Sequence, residues 1–235
     1  MKQMKLFGMS VVMAALLLSA APALATFQLQ ITEIWPGQDG PDLTADWFEI
    51  YNSGTMAWTS AGDGILTVND NSGGLLDDVL VQNIPSIAAG ETVIVLMESS
   101  PIAPAPFDPT TFYNVWDPVK DLDTTQIGWA DGSGLGLGQA GDSVNIWVAN
   151  VLQDTESYTA AGGANSGRSW DVLLGAYSTV GNASGAVATI ATAGTSGLEP
   201  AIASPGMIVP EPGSVLLMSI GGVALGLFAR RRMKR

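Results

Sequence analysis

Leu29-Gln30-Ile31-Thr32-Glu33-Ile34-Trp35-Pro36 and Trp47-Phe48-Glu49-Ile50-Tyr51-Asn52-Ser53-Gly54 are the two stretches that decide the fold. In the first, Leu29 and Ile31 alternate with Gln28, Gln30 and Thr32, the period of two that marks a strand with one buried face. In the second, Trp47, Phe48, Ile50 and Tyr51 supply apolar volume on both faces, and Asn52-Ser53-Gly54 is a turn signal that ends the strand. Outward from these, strand-like runs recur at residues 65–68, 79–81, 92–97 and 143–149. The run at 92–97 is apolar almost throughout, as expected of a central strand covered on both faces. Turns such as Asn69-Asp70-Asn71-Ser72-Gly73-Gly74 and Asp131-Gly132-Ser133-Gly134 separate the runs, and no helical period is sustained. Short β-branched and aromatic strands at this spacing predict an all-β sandwich. From Ala160 to Gly206 the composition shifts to Gly, Ala, Ser and Thr, and weaker order is expected there.

The same stretches resemble the opening of a lamin-tail domain, which begins with an Ile-x-Glu-Ile strand and a Trp-hydrophobic-Glu-hydrophobic-Tyr-Asn strand. Residues 91–98, Gly141-Asp142-Ser143-Val144-Asn145-Ile146, Gly167-Arg168-Ser169-Trp170 and Ser204-Pro205-Gly206 continue the likeness. A Pro- and Asp-rich, insertion-like stretch near 99–131 departs from it. The resemblance implies an immunoglobulin-like β-sandwich over residues 26–205, of a kind that serves secreted and surface proteins as a binding or tethering module. Glu33 and Glu49 are conspicuous because each sits in an otherwise apolar strand. Facing one another, they would raise one pKa or share a cation; otherwise they accept N–H bonds and fix a loop. A catalytic role is the least expected of these.

Both ends read as targeting segments. Lys2 and Lys5 precede an apolar core at residues 6–18 and the small-x-small site Ala23-Leu24-Ala25, so residues 1–25 form a secretory signal peptide cleaved after Ala25. At the other end, residues 206–213 are a linker holding Pro210, Glu211 and Pro212. Residues 214–229 are an apolar transmembrane helix, and residues 230–235 a basic cytoplasmic tail with Arg230, Arg231 and Arg232 as the stop. The apolar run is short of the roughly 20 residues that span a bilayer, so it needs a thinned membrane or snorkelling arginines. This tripartite pattern resembles the PEP-CTERM sorting signal. The resemblance implies recognition and cleavage near the Pro-Glu-Pro turn by an exosortase. It implies export through the Sec machinery and signal peptidase, transient residence in the inner membrane, and delivery to the cell surface or extracellular matrix.

Seven of the nine basic residues lie in the targeting segments, leaving Lys120 and Arg168 in residues 26–209 against 21 acidic residues, a formal charge of −19. Such a surface repels nucleic acid and attracts cations. The chain has no cysteine and no histidine. Disulfides, His-assisted nucleophilic triads and His/Cys metal sites are therefore excluded, and oxygen-ligated calcium or magnesium is what remains. Three acidic loops are candidates for calcium: Asp39, Asp42 and Asp46, the best of them; Asp70 with Asp77 and Asp78; and Asp117, Asp121 and Asp123, with Asp131 nearby. None has the EF-hand spacing, and aspartate is also a common turn residue.

Seven tryptophans could stack on sugar rings, with Trp35, Trp58 and Trp116 expected on loops as an extracellular-polysaccharide patch. The expectation is a non-catalytic exported β-sandwich that needs no cofactor, with calcium the one ion that fits. The rival is a calcium- or carbohydrate-dependent adhesion module, and a paired-carboxylate polysaccharide hydrolase is the outsider.

Overall fold

β1 (Leu29–Trp35) and β2 (Asp46–Asn52) pair antiparallel, with Ile31 opposite Ile50 and Glu33 opposite Glu49. Between those two pairings β1 carries one extra residue, Thr32, which is a β-bulge. The bulge changes the parity of the strand. Leu29, Ile31 and Ile34 all enter one core, whereas Trp35 enters another on the opposite face. Strict alternation would have put Glu33 on the side of Leu29 and Ile31; the bulge sends it to the side of Trp35.

In this computed structural model the described residues are 26–40, 42–70, 78–98, 109–131, 135–193 and 199–207. The strands after β2 are β3 (Trp58–Thr59), β4 (Leu66–Asp70), β5 (Val79–Leu80), β6 (Ser86–Ile87), β7 (Thr92–Glu98), β8 (Gln126–Asp131), β9 (Asp142–Val148) and β10 (Val151–Tyr158). Four more follow: β11 (Trp170–Asp171), β12 (Ala176–Tyr177), β13 (Val187–Ala193) and β14 (Glu199–Ala203). Two short helices, α1 (Ser60–Asp63) and α2 (Thr110–Trp116), interrupt them. One sheet has six strands in the order β12-β11-β1-β2-β7-β8, and a second has four in the order β10-β9-β4-β5. β13 pairs with β14, and β3 with β6. The protein is thus all-β in the main, as the strand pattern implied.

The two larger sheets share a core. Phe48, Ile50, Val93, Val95 and Met97 from the first meet Leu66, Val68, Val144, Ile146 and Val148 from the second. The six-stranded sheet is covered on its other face too, where Trp35, Trp47, Ile94 and Leu96 pack against Phe112, Val115 and Trp116 of α2 and Ala201 and Ala203 of β14. Trp47 stacks edge-to-face on Phe112 at 5.7 Å and on Trp116 at 6.0 Å. Burial on both faces explains why residues 92–97 carry no polar alternation.

Two expectations are corrected here. The Gly/Ala/Ser/Thr-rich region from Ala160 to Gly206 builds β11 to β14, because small residues let β14 lie close over the tryptophan-lined face. Trp35, Trp58 and Trp116 are not on exposed loops: each is buried, and Trp35 donates its indole N–H to Gly167 O. A sugar-stacking patch made of those three rings is ruled out, because no ring face reaches solvent. The stretch set apart near 99–131 supplies α2 and the parallel strand β8 to the second core. Among the described residues no helix is long and apolar enough to cross a membrane. The signal peptide expected at 1–25, with Ala23 and Ala25, and the transmembrane helix expected at 214–229 lie outside the described residues.

Candidate functional site

The register of three neighbouring strands sets three acids in a row. Asp171 of β11 stands opposite Glu33 of β1, and Glu33 stands opposite Glu49 of β2. All three are buried. Like charges directly opposite one another in a sheet repel, so the row persists only because each member is supplied with donors or protons.

The donors come from the late part of the chain. Glu33 Oε1 accepts from Ser169 Oγ at 2.5 Å, from Ser204 N at 2.8 Å and from Ser204 Oγ at 2.9 Å. Ser178 Oγ lies 2.9 Å from Ser169 Oγ and extends the hydroxyl chain. Glu33 Oε2 is buried with no hydrogen-bond partner. Glu49 Oε1 accepts from Thr32 Oγ1 at 2.6 Å, so the bulge residue itself serves the pair. Glu49 Oε2 accepts from Gly206 N at 2.7 Å. Gly206 has a φ of +74°, a backbone region that favours glycine, and this turns its N–H inward after Ser204-Pro205. Asp171 accepts from Ser184 Oγ at 2.5 Å, Asn182 Nδ2 at 3.2 Å and Leu174 N at 3.0 Å.

Burial pushes the Glu33 carboxyl up from 4.5 to about 7, against the opposing pull of the Ser169 and Ser204 donors. Glu49 is raised well above its ordinary value, first by burial and then by the charge of Glu33, while Thr32, Gly206 and Lys120 pull the other way. Lys120 is itself lowered by burial, offset by attraction to Glu33 and Glu49, and its Nζ donates to Gly185 O at 2.9 Å. Arg168, the other cation of residues 26–209, directly precedes Ser169 and reaches Ser178 O at 3.4 Å. Lys120 is thus the cation that acts on the glutamates, while Arg168 is bound to backbone beside Ser169.

The acidic loops fare differently. Asp42 and Asp46 converge: a Cβ placed on Gly37 would lie 2.6 Å from Asp42 Oδ1 and 2.9 Å from Asp46 Oδ1. Asp42 Oδ1 accepts from Gln38 N, four residues back, whereas Asp46 Oδ2 accepts from the distant Leu137 N. Asp39 turns elsewhere, its Oδ2 accepting from Gly163 N. Among the described residues the three carboxylates gathered within 4.8 Å of one another are Asp117, Asp121 and Asp123, all exposed. Asp117 Oδ1 accepts from Leu122 N and Asp121 Oδ1 from Asp123 N, the bonds of ordinary turn aspartates. In the second loop Asp70 Oδ2 accepts from Gly136 N, and Asp78 accepts from Asn69 and Thr67, while Asp77 lies outside the described residues.

Sequence reasoning singled out Glu33 and Glu49 but gave no part to Asp171, Ser169, Lys120 or Ser204. The quoted Gly-Arg-Ser-Trp and Ser-Pro-Gly segments were the available signal, since both bring a serine to the same carboxylate. Pro210, Glu211 and Pro212 and the stop residues Arg230, Arg231 and Arg232 lie outside the described residues.

Residues 209–232 match the PEP-CTERM protein-sorting motif. That motif implies an exported, cell-surface-directed protein with an exosortase as its processing partner. No curated protein and no solved structure matches the chain.

Proposed function

We propose that the chain is a non-catalytic cell-surface or extracellular-matrix protein, cut by an exosortase at its tail after transient residence in the inner membrane. Its body is a lamin-tail-like, immunoglobulin-like sandwich acting as a structural or binding module. The observation that carries this reading is the sorting motif at residues 209–232, which starts just after the body's last described residue, Met207. The burial of Glu33, Glu49 and Asp171 supports a non-catalytic role, since carboxylates closed off by serines and a backbone turn offer no position for a glycosidic oxygen. The strongly acidic body suits an extracellular polymer environment rich in divalent cations and needs no resident cofactor.

The test is the intact mass of the protein recovered from the native envelope and medium, with and without the exosortase. The expected mass ends between Pro210 and Gly213 in the first case, and the whole tail stays in the membrane fraction in the second. A full-length carboxyl terminus in exosortase-bearing cells would sink the sorting reading and leave an anchored sandwich.

A further inference from the structure

The sorting motif leaves the body from a clamp. Ser204 is held through its N–H and its hydroxyl by Glu33, and Gly206 is held through its N–H by Glu49. The strand just before them, β14, is fixed by Ile202 N to Gly167 O at 2.8 Å and Ser169 N to Ile202 O at 3.0 Å. Pro210 lies four positions beyond Gly206, so even a fully extended chain carries the Pro-Glu-Pro turn no more than about 14 Å from the clamp. Whether the clamp is closed therefore decides how much free chain a tail-cutting enzyme meets.

The atoms of the clamp are arranged for a protonated acid. All three donors to Glu33 converge on Oε1, and Oε2 is buried with none. A proton on Oε2 leaves every one of those bonds intact and removes a charge that would face Glu49 on one side and Asp171 on the other. Lys120 is the cation that attracts both glutamates, yet its Nζ is committed to Gly185 O, and three acids outnumber it.

We propose that Glu33 and Glu49 form a proton-held latch on Ser204 and Gly206, and that loss of the proton on Glu33 Oε2 frees the β13–β14 hairpin and lengthens the chain leading into the sorting motif. Its consequence for tail cutting rests on the sorting reading above; the latch itself rests on the geometry. The direction is fixed by burial, the largest influence on both carboxyls, which disfavours the charged form and outweighs the Ser169 and Ser204 donors. The latch is closed in mild acid and opens as pH rises. With Glu33 titrating near 7 when held and near 4.5 when released, the opening constant rises about tenfold from about pH 6 and levels off above 7.

Hydrogen exchange of the full chain in detergent micelles reads this directly, at about pH 6 and about pH 8.5, after correction for the intrinsic rate. Peptides from residues 187–207 are expected to open at least about tenfold more at the higher pH, while residues 92–98 of the central strand stay equally protected at both. Glu33→Gln keeps the size and the Oε1 acceptor and cannot lose the proton, so its 187–207 peptides are expected to show no pH step. Equal protection of residues 187–207 at both pH values in the natural chain would overturn the latch, and so would a step that persists in both Glu33→Gln and Glu49→Gln. Tail cutting is read separately by carboxyl-terminal mass. An uncut tail in cells whose protein shows the pH step would remove the sorting reading and leave the latch.

Discussion

Glu33 and Glu49 face each other across β1 and β2, both buried, on the tryptophan-lined side of the six-stranded sheet. They are there because Thr32 is an extra residue in β1, and Thr32 then donates its hydroxyl to Glu49. A single bulge therefore aims one acid and satisfies the other. The pair joins the first strands of the body to its last described residues, contacts that span 171 positions in sequence for Glu33 and 157 for Glu49.

Removing the Glu33 carboxyl leaves Ser169 Oγ, Ser204 N and Ser204 Oγ without their acceptor. Each buried donor left unpaired costs about 1–3 kcal/mol, and relief of repulsion with Glu49 and Asp171 offsets part of the total. Glu33→Ala is expected to lower unfolding stability by about 3 kcal/mol in urea titration near pH 7. A loss within about 0.5 kcal/mol, the range of ordinary surface substitutions, would mean the serines find other partners.

Stability should fall as pH rises. Glu33 titrates near 7 in the folded protein against 4.5 when unfolded, so between those values the folded state holds a proton that the unfolded chain has released. The contribution is complete below about 4.5 and lost as pH passes through about 7. A shift of that size corresponds to about 3 kcal/mol, and Glu49 adds in the same direction. Melting curves from about pH 5 to about pH 9 should show the decline, and Glu33→Gln should flatten it. A melting temperature that climbs toward pH 9 would contradict the assignment.

The strand pattern was legible because six strands follow simple rules. β1, β2, β4, β5, β7 and β9 all fall on runs read from alternation or continuous apolarity. The rest was hidden for identifiable reasons. β10 is an edge strand whose polar, largely half-buried Gln153-Asp154-Thr155-Glu156 run carries no apolar signal. β13 and β14 are made of small residues because Ala201 and Ala203 must fit close over large rings, and composition alone reads that as a loop. The glutamates were visible as anomalies within apolar strands, but which face they take depends on the Thr32 bulge, and alternation cannot show a bulge. Asp171 and Ser204 reach the site only through long-range pairing, which no local window contains.

Tryptophan emission should behave as that of a core. Trp35, Trp47, Trp58, Trp116 and Trp147 are buried, and Trp129 and Trp170 are half-buried. The expected spectrum is blue-shifted, weakly quenched by acrylamide, and unchanged by soluble polysaccharide. Trp47→Ala, which empties the space between Phe112 and Trp116, should cost about 3–5 kcal/mol. Strong quenching by a glycan would place a binding surface on Trp129 or Trp170, the two rings with partial access.

Where the body ends follows from the clamp. A chain stopped after Met207 keeps Ser204 and Gly206 on their glutamates, whereas one stopped after Ala203 leaves Glu33 with Ser169 alone and Glu49 with Thr32 alone. The lost partners are three hydrogen bonds to buried acids, worth about 1 kcal/mol each. The shorter body should therefore melt several degrees below the longer one near neutral pH. The gap should narrow as pH rises through about 7, because the latch on Ser204 and Gly206 then opens and those donors hold less of the fold. Equal melting of the two bodies would show that Ser204 and Gly206 do not close the fold, and the body would then end at β14.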